Sequence, residues 1–349
     1  MSLNALITAP FSKEGITALK RHMKVTYENW RVTNKIYTDS RELADRIQRG
    51  AFNVLIVEGD QVDEELINKC NLKIIASCRG NPINIDVDAA TKKNIPVIYT
   101  PGRNADAVAD MAIALMLAQA RHITEADRAL KSGKIKVESE EELTSLLDRF
   151  SGAELGLRIV GIIGFGAIGY RVAKRLTGFG SKILIYDPYV KSTDPRVKEV
   201  RGKLVRKLEQ LMRESDFVTL HVAAVPEADK LISKELIGLM KPTAYFINTA
   251  RAFITDEDAL YDALKEKRIA GAGLDVFISE PVESNNRFLP LDNVTVTPHT
   301  GGDTVDVVMH HSDMIVADIE RLIKGKKPDY LKNPQVLARQ KVKRGSKKN

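Results

Sequence analysis

The stretch 157–187 limits what this chain can fold into more than any other part of the sequence. Residues 159–163 are rich in isoleucine and valine, which is typical of a strand buried on both faces. A glycine-rich segment follows at once, residues 170–177 have the composition of a helix, and 182–186 form a second apolar run. The order strand, turn, helix, strand predicts a βαβ unit and therefore a parallel sheet.

The turn inside this unit reads GFGAIG, with Gly164, Gly166 and Gly169 in the spacing G-x-G-x-x-G. The first glycine permits a tight turn, the second lets a pyrophosphate approach the backbone, and the third lets helix and strand pack closely. We expect the free amide groups at the start of the helix that follows to face the phosphates of a dinucleotide, with Ala167 and Ile168 among the cofactor-binding residues. A βαβ unit whose turn is purely structural is the alternative.

Asp187 ends the second strand, roughly 20 residues after the first glycine, where dinucleotide-binding sheets carry an acidic residue. A carboxylate there accepts hydrogen bonds from the ribose 2′-OH and repels a 2′-phosphate. The sequence therefore predicts NAD as the cofactor and disfavours NADP.

Length and composition bound the class of protein. A chain of 349 residues suggests about two domains. Cys70 and Cys78 are the only cysteines; they indicate neither a disulfide framework nor a metal site, and we expect them to be reduced in a cytoplasmic protein. The first strand begins near Ala5, so no signal peptide is expected. The longest apolar run, 111–118, is too short to cross a membrane.

The net charge of +7 comes from the end of the chain. Residues 331–349 hold seven lysines and arginines and no acidic residue, so the rest of the sequence is neutral. Such a segment could contact nucleic acid or an acidic partner. It has no aromatic residue to stack on bases, and we expect a solvated, disordered tail instead of a nucleic-acid site.

Strands and helices alternate along both halves of the chain, which predicts two doubly wound parallel sheets of the α/β class. In the first hundred residues the predicted strands are 5–8, 25–27, 54–57, 74–77 and 95–99, with helices at 13–22, 40–48 and 87–91. A long helix begins near Asn104, and 132–150 form a polar, acidic excursion. After Asp187 the predicted helices are 204–214, 233–239, 256–266 and 304–324, and the strands are 217–221, 244–248, 271–276 and 294–297.

Three reactive side chains directly follow strands of the second half. Arg251 stands in NTARA, Glu280 in LDVFISEP and His299 in TPHTGG. Ligands of open parallel sheets lie at the carboxyl ends of the strands, so these residues are expected to meet in one crevice. Taken singly, each could be an ordinary surface or turn residue.

Together, these three residue types suit hydride transfer to a 2-oxo acid. Arg251 can bind a carboxylate in a fork and polarise the carbonyl. Protonated His299 can donate to the developing alkoxide, while Glu280 orients the imidazole and favours its charged form. His221 also ends a strand, but HVAAVPEAD is more typical of a cofactor loop than of catalysis. His122, His310 and His311 are expected on helices, in solvent.

The motifs GFGAIG, YDP, NTAR, GAGLDVFISEP and TPHTGG, in this order and spacing, resemble the D-isomer-specific 2-hydroxyacid dehydrogenases, a family that includes phosphoglycerate and glycerate dehydrogenases. The resemblance runs from about Ala5 to Lys324. It implies a Rossmann cofactor domain, 104–301, inserted in a flavodoxin-like substrate domain made of 1–103 and 302–330, with a cleft that closes over NAD. It also implies a homodimer held by the cofactor domains, the catalytic set Arg251, Glu280 and His299, and Asp275 with Thr249 or Ala250 near the nicotinamide.

The sequence departs from the family pattern in the first substrate loop. That loop is usually rich in glycine and offers backbone amides to the substrate carboxylate, whereas CRGNPIN places Arg79 and Asn81 on either side of Gly80. We expect these three residues to bind substrate, with Arg79 taking a second polar or anionic group or serving only structure. NTARA also has Ala252 where the family commonly has glycine, and 132–150 are longer than usual.

The predicted function is therefore an NAD-dependent oxidoreductase that interconverts a small D-2-hydroxy acid and its 2-oxo acid, of the phosphoglycerate, glycerate or glyoxylate type. Two alternatives stay open: a non-catalytic NAD-sensing adaptor of the corepressor kind, and a formate or phosphite dehydrogenase. No metal and no membrane partner is expected.

Overall fold

A computed structural model describes residues 3–133, 135 and 139–338. The chain divides into two compact units. Unit 1 comprises the described residues up to Asn104 together with those from Thr304 onward, and unit 2 comprises those from Ala105 to Asp303. Unit 2 is thus inserted within the sequence of unit 1.

Unit 1 is built on a five-stranded parallel sheet with the order β2-β1-β3-β4-β5, the flavodoxin-like arrangement. The strands are β1 (Asn4–Ile7), β2 (Lys24–Tyr27), β3 (Val54–Val57), β4 (Ile74–Ser77) and β5 (Val97–Ile98). The helices are α1 (Lys13–Lys20), α2 (Trp30–Thr33), α3 (Ser40–Arg49), α4 (Glu64–Lys69), α5 (Val87–Lys92) and α14 (Val305–Ile323). Every residue of β3 and β4 is buried, as expected for central strands covered on both faces.

The last helix belongs to the core of unit 1. Ile315 and Ile319 of α14 are fully buried and pack with the apolar residues of β1 and β3. The Ser312 hydroxyl accepts a hydrogen bond of 2.9 Å from the backbone amide of Ser12, so α14 also fixes the start of α1. This hydrogen bond thus joins two helices across 300 positions of sequence.

The start of the basic segment is ordered, and the expectation of a disordered tail from residue 331 is wrong for 331–338. Leu331 forms an antiparallel bridge with Ile98 at the edge of the sheet. Asn333 is fully buried: its side chain accepts from the backbone amide of Val97 and donates to the carbonyl of Ile95. These hydrogen bonds satisfy buried polar groups that water cannot reach, and they attach 331–338 to unit 1. The prediction for 339–349 lies outside the described residues.

Unit 2 is built on a seven-stranded parallel sheet with the order β12-β11-β10-β9-β6-β7-β8. Numbered from its own first strand, this is the Rossmann order with the reversal between β6 and β9. The strands are β6 (Ile159–Ile163), β7 (Lys182–Tyr186), β8 (Lys203–Leu204), β9 (Phe217–Leu220), β10 (Tyr245–Asn248), β11 (Gly271–Leu274) and β12 (Val294–Val296). The predicted fold class, two doubly wound sheets with one unit inserted in the other, is confirmed.

The helices of unit 2 are α6 (Ala105–Ala120), α7 (Ile123–Lys131), α8 (Glu140–Arg149), α9 (Ala167–Phe179), α10 (Pro195–Glu199), α11 (Leu208–Glu214), α12 (Lys234–Ile237) and α13 (Glu257–Lys265). The single helix expected at 204–214 is wrong, because 203–204 form the edge strand β8 and α11 begins at Leu208. The helices α7 and α10 were not predicted. In the excursion, α8 begins with a capping box between Ser139 and Glu142.

Helix α6 lies against the sheet where β11 lacks side chains. A Cβ at Gly273 would stand 2.8 Å from Leu115 Cβ, so only glycine leaves room for the helix. The same helix buries Leu115 and Met116 in the core of unit 2. Among the described residues, no helix has the length and apolar composition needed to cross a bilayer.

Candidate active site

The glycine turn has the geometry that its spacing predicts. Gly164 has φ = 90°, and a Cβ at this position would lie 2.6 Å from the carbonyl oxygen of His221. A Cβ on Gly169 would overlap the carbonyl oxygen of Gly164. A Cβ on Gly166 would meet nothing within 4 Å. The first and third glycines are therefore needed for the fold itself, and the second borders open space at the start of α9, where a pyrophosphate can approach the amides of Ala167 and Ile168.

Asp187 lies at the carboxyl end of β7, next to the turn. One of its carboxylate oxygens accepts from the backbone amide of Phe165 at 2.8 Å, and the other from that of Tyr189 at 2.9 Å. A carboxylate has about four acceptor positions, so both oxygens can accept further hydrogen bonds. The residue thus holds the glycine turn in place and keeps capacity for two ribose hydroxyls.

Two buried polar atoms at neighbouring strand ends lack a partner in the described part of the chain. His221 follows β9, and its Nε2 lies 2.9 Å from the Thr219 hydroxyl while its Nδ1 is buried and unpaired. Burial lowers the pKa of His221 to about 3, so the ring is neutral. Thr249 follows β10, and its buried hydroxyl is also unpaired. An unpaired buried polar atom is costly, and a bound dinucleotide beside the glycine turn would supply partners, so these residues fit NAD.

The residue after Thr249 is held by a short-range hydrogen bond. The backbone amide of Ala250 donates to the Asn248 side chain at 2.9 Å, and the same side chain donates to the carbonyl of Arg251 at 3.0 Å. Asn248 therefore shapes the loop that carries Thr249, Ala250 and Arg251. Sequence reasoning did not single out this residue, although NTAR places it at the strand end.

Asp275 is buried at the end of β11, and its contacts explain the path of the next loop. One carboxylate oxygen accepts from the Thr297 hydroxyl at 2.6 Å and from the Thr300 amide at 2.9 Å; the other accepts from the Gly301 amide at 2.9 Å. These three bonds enclose His299 on both sides in sequence. In the described structure Asp275 thus acts as an anchor for the His299 loop, a role that sequence reasoning missed.

His299 and Glu280 form a hydrogen-bonded pair. The imidazole Nδ1 lies 2.6 Å from Glu280 Oε2, and Glu280 Oε1 accepts from the Phe277 amide at 3.0 Å. Because Nδ1–H donates to the carboxylate, Nε2 is the ring nitrogen left to exchange a proton with a ligand. His299 has φ = 56°, so the loop holds this ring in a left-handed backbone conformation that non-glycine residues seldom adopt.

The pKa of the Glu280 carboxyl is lowered overall. Partial burial raises this pKa, but the Phe277 amide, the hydrogen bond and charge of His299, and the charge of Arg251 together outweigh burial. Glu280 is therefore ionised near neutral pH and can stabilise an imidazolium.

Arg251 is exposed to solvent. Its Nη1 donates to the carbonyl oxygen of Ala250 at 2.6 Å, which orients the planar group, and its other donors have no hydrogen-bond partner among the described residues. Arg251, Glu280 and His299 thus follow β10, β11 and β12, three adjacent strands of one sheet. The arrangement offers a fixed cation, a fixed anion and a proton-exchanging ring at one edge.

In unit 1, the loop after β4 carries the residues expected to bind substrate. The backbone of Arg79 is held by Ser77 and Thr100, at 3.3 and 3.0 Å. Its guanidinium has no hydrogen-bond partner among the residues that the structure describes. Gly80 is exposed, and Asn81 accepts a hydrogen bond from Lys332 at 3.3 Å. The contact from Lys332 was not predicted, because that residue was assigned to the tail.

A second polar cluster in unit 1 was also missed. His311 was expected in solvent but is fully buried, and burial lowers its pKa to about 4. Its ring lies 2.8 Å from the carbonyl oxygen of Pro10 and 2.9 Å from Arg103, whose other nitrogen pairs with Glu58 at 2.8 Å. The prediction for His311 is therefore wrong; the helical period alone could not show which face α14 buries.

The Rossmann sheet, the glycine turn and the residues at the strand ends define an oxidoreductase that uses a nicotinamide dinucleotide. Residues 113–301 match the sequence model of the NAD-binding domain of the D-isomer specific 2-hydroxyacid dehydrogenases. The glyoxylate reductase of Thermococcus litoralis is 42% identical over 279 residues, covering 80% of this chain and 82% of that protein. The D-3-phosphoglycerate dehydrogenase of Methanocaldococcus jannaschii is 35% identical over 340 residues, covering 97% of this chain and 60% of that protein.

Solved structures agree with these sequence relatives. The crystal structure of a Polaromonas protein, described as an NAD-binding D-isomer specific 2-hydroxyacid dehydrogenase, superposes with a TM-score of 0.81 at 28% identity, covering 95% of this chain and 99% of that one. The chain belongs to the D-isomer specific 2-hydroxyacid dehydrogenase family. It is an NAD-dependent enzyme of the type that interconverts 2-hydroxy acids and 2-oxo acids, as the sequence predicts.

Proposed function

We propose that this enzyme reduces a small 2-oxo acid of the glyoxylate, hydroxypyruvate or phosphohydroxypyruvate type to the D-2-hydroxy acid, and catalyses the reverse oxidation. The observation that carries the proposal is the 2.6 Å contact between His299 and Glu280, at the sheet edge that also bears Arg251. The relatives named glyoxylate reductase and phosphoglycerate dehydrogenase support this substrate range.

His299 serves as the acid and base of the reaction. Its Nε2–H donates a proton to the oxygen of the carbonyl as that oxygen gains negative charge, and in the reverse direction neutral Nε2 accepts the hydroxyl proton. Glu280 remains ionised and stabilises the imidazolium form through Nδ1–H. Arg251 binds the substrate carboxylate and polarises the carbonyl, because its planar fork matches a carboxylate. NAD, when bound, supplies the hydride chemistry.

The cofactor is held by residues of unit 2. Gly164, Gly166 and Gly169, with the amides of Ala167 and Ile168, bind the pyrophosphate, and Asp187 binds the adenosine ribose. His221, Thr249, Ala250 and Asp275 lie at the nicotinamide end. The unpaired Nδ1 of His221 and hydroxyl of Thr249 support this assignment, because each lacks a partner that a dinucleotide can provide.

Arg79, Gly80 and Asn81 contribute to substrate binding from unit 1. The exposed Gly80 leaves its amide available for a carboxylate, and the guanidinium of Arg79 is available for a second polar or anionic group, such as a phosphate. In the contrasting structural role, Arg79 would only order its own loop. Replacing Arg79 by Ala separates the two roles. If Arg79 binds substrate, KM should rise more for a phosphorylated substrate than for glyoxylate; if its role is structural, KM should change equally for both.

The enzyme acts as a homodimer held by unit 2. The helices α7 and α8, between α6 and β6, expose large apolar side chains: Ile123, Leu130, Leu143 and Leu147 are 45–64% exposed. Exposed apolar residues grouped on one pair of helices are typical of an interface. Sedimentation of the wild type and of a L143E/L147E variant tests this, because the variant should sediment as a monomer if the dimer uses this surface.

The activity is tested with purified protein, NADH and a panel of 2-oxo acids that includes glyoxylate, hydroxypyruvate, phosphohydroxypyruvate and pyruvate. H299N should lower kcat by about 100- to 10,000-fold while NADH still binds, because general acid–base catalysis is lost and the cofactor contacts remain. H310N is the matched control, a histidine substitution on α14 that should retain activity. Oxidation of formate or phosphite, or no turnover with any 2-oxo acid, would refute the proposal.

A further inference from the structure

The segment after Asp187 borders an open surface groove beside the carboxylate proposed to bind the ribose. The groove measures about 530 Å³ and is lined by Tyr189, Lys191, Thr193, Asp194, Pro195 and Arg196. Two cations, Lys191 and Arg196, line this groove, and the charge of Asp187 acts on Arg196. A cation-lined space next to the ribose is the place where a 2′-phosphate would have to go.

Arg196, however, already forms an ion pair with Asp194. Its Nε lies 3.0 Å from one carboxylate oxygen of Asp194, and its Nη2 lies 2.6 Å from the other. This is the two-pronged geometry in which arginine binds carboxylates and phosphates most strongly. The hydrogen bond and charge of Asp194 raise the pKa of Arg196 and lower that of Asp194 itself. The fork that could bind a phosphate is thus filled by a carboxylate of the same loop.

The guanidinium is also fixed in position against the glycine turn. Its carbon stands 5.6 Å from the ring centre of Phe165 and 6.0 Å from that of Tyr170, within the range of cation–π contacts. Phe165 donates its amide to Asp187, and the charge of Asp187 contributes to the raised pKa of Arg196. Arg196 therefore pairs with Asp194 and is influenced by the charge of Asp187, the carboxylate proposed to bind the ribose.

We propose that Asp194 is a second determinant of cofactor choice: it masks Arg196, which would otherwise bind the 2′-phosphate of NADP. Asp187 excludes the phosphate by repulsion, and Asp194 removes the cation that could compensate for that repulsion. The preference for NAD then rests on two acidic residues, of which the sequence pattern shows one. This inference depends on dinucleotide binding at the glycine turn and is independent of which 2-oxo acid is reduced.

The substitution D194N tests the proposal without disturbing the helix. The Asp194 side chain caps α10 by accepting from the Arg196 amide, and asparagine caps helices as well as aspartate does. D194N therefore removes the charge and leaves the cap. Dissociation constants for NADH and NADPH are measured by titrating the fluorescence of the reduced nicotinamide, with no substrate present, and the melting temperature of each variant is recorded.

We expect D194N to tighten NADPH binding by about 5- to 50-fold, as a freed charge-assisted fork would, with NADH changed less than about twofold. The gain should shrink at high salt. In D194N/R196A the affinity for NADPH should return to that of the wild type, because the cation is absent. D187N, the matched control, should also tighten NADPH but through loss of repulsion, and R196A should not reverse that gain.

Two results would overturn the inference. An unchanged NADPH affinity in D194N with an unchanged melting temperature would show that the pair does not mask a phosphate site. A weaker NADH affinity in R196A alone would show that Arg196 belongs to the NAD site itself. Because the titration contains no 2-oxo acid, either result leaves the proposed reaction untouched.

Discussion

A methyl group added to the second glycine of the turn should weaken cofactor binding, whereas the same group added to the third should destabilise the fold. In G166A the Cβ meets no protein atom within 4 Å, so the fold can accept it, whereas the Cβ of G169A would overlap the carbonyl oxygen of Gly164. The first substitution therefore removes space that only a ligand uses. The second forces the strand and helix of the βαβ unit apart.

The sizes of the two effects follow from these contacts. G169A places an atom against backbone that cannot rotate away, and overpacking of this kind costs about 3 kcal/mol. For a unit of about 200 residues this lowers the melting temperature by about 6–12 °C. G166A should change the free energy of unfolding by less than about 1 kcal/mol, because its φ of −75° suits alanine. It should weaken NADH binding by about 10- to 100-fold, since the methyl group occupies the approach of the pyrophosphate.

Calorimetry and NADH titration of both variants are compared with G178A. Gly178 lies in the last turns of the same helix, its Cβ would also meet nothing within 4 Å, and it is far along α9 from the turn. Alanine there should stabilise the helix by about 0.5–1 kcal/mol and leave NADH binding unchanged. Equal loss of stability in G166A and G169A, or normal NADH binding by G166A, would refute the assignment of separate roles.

Three further outcomes are expected. E280Q should lower kcat/KM by about 100-fold or more. Folding lowers the pKa of the Glu280 carboxyl, so its stabilising effect is present above the pKa of an unfolded glutamate and is lost as the pH falls through the folded pKa. The unfolding free energies of E280Q and the wild type should therefore converge in acid. Cys78 is fully buried and burial raises its thiol pKa well above the usual value, so a thiol reagent should label native protein at Cys70 before Cys78, and equal rates would contradict the burial. N333A should destabilise unit 1 by about 3 kcal/mol, since it leaves the backbone amide of Val97 and the carbonyl of Ile95 unpaired. A chemical denaturation curve that matches the wild type would show that 331–338 do not belong to the fold.

The parts of the fold that the sequence predicts are those with local causes. The glycine turn is predictable because its three glycines, two required by the fold and one by the ligand, lie within six residues of one another. The strands are predictable because buried parallel strands are continuous apolar runs. Glu280 and His299 could be expected to meet, although 19 positions separate them, because parallel strands present their carboxyl ends at one edge. The edge strand β8 was missed because two residues, one of them lysine, carry no periodic signal.

The features that sequence reasoning missed depend on contacts between distant segments. Nothing near Asn333 in the sequence shows that its side chain accepts a hydrogen bond from the backbone amide of Val97, more than 200 positions earlier. Asp275 could be expected beside a cofactor by resemblance, but its bonds to the loop around His299 follow only from the position of β12 next to β11.

The discontinuous path of unit 1 has a consequence for how the protein is made. Every described residue of unit 2 precedes Thr304 in the chain, so unit 2 leaves the ribosome before Ile315, Ile319 and Asn333 of unit 1 do. Domains fold as units during synthesis, and contacts between distant positions form slowly. The nascent chain should therefore pass through a stage in which unit 2 is native while the amino-terminal part of unit 1 is still incomplete. Its apolar β-strands stay exposed until α14 is available to cover them.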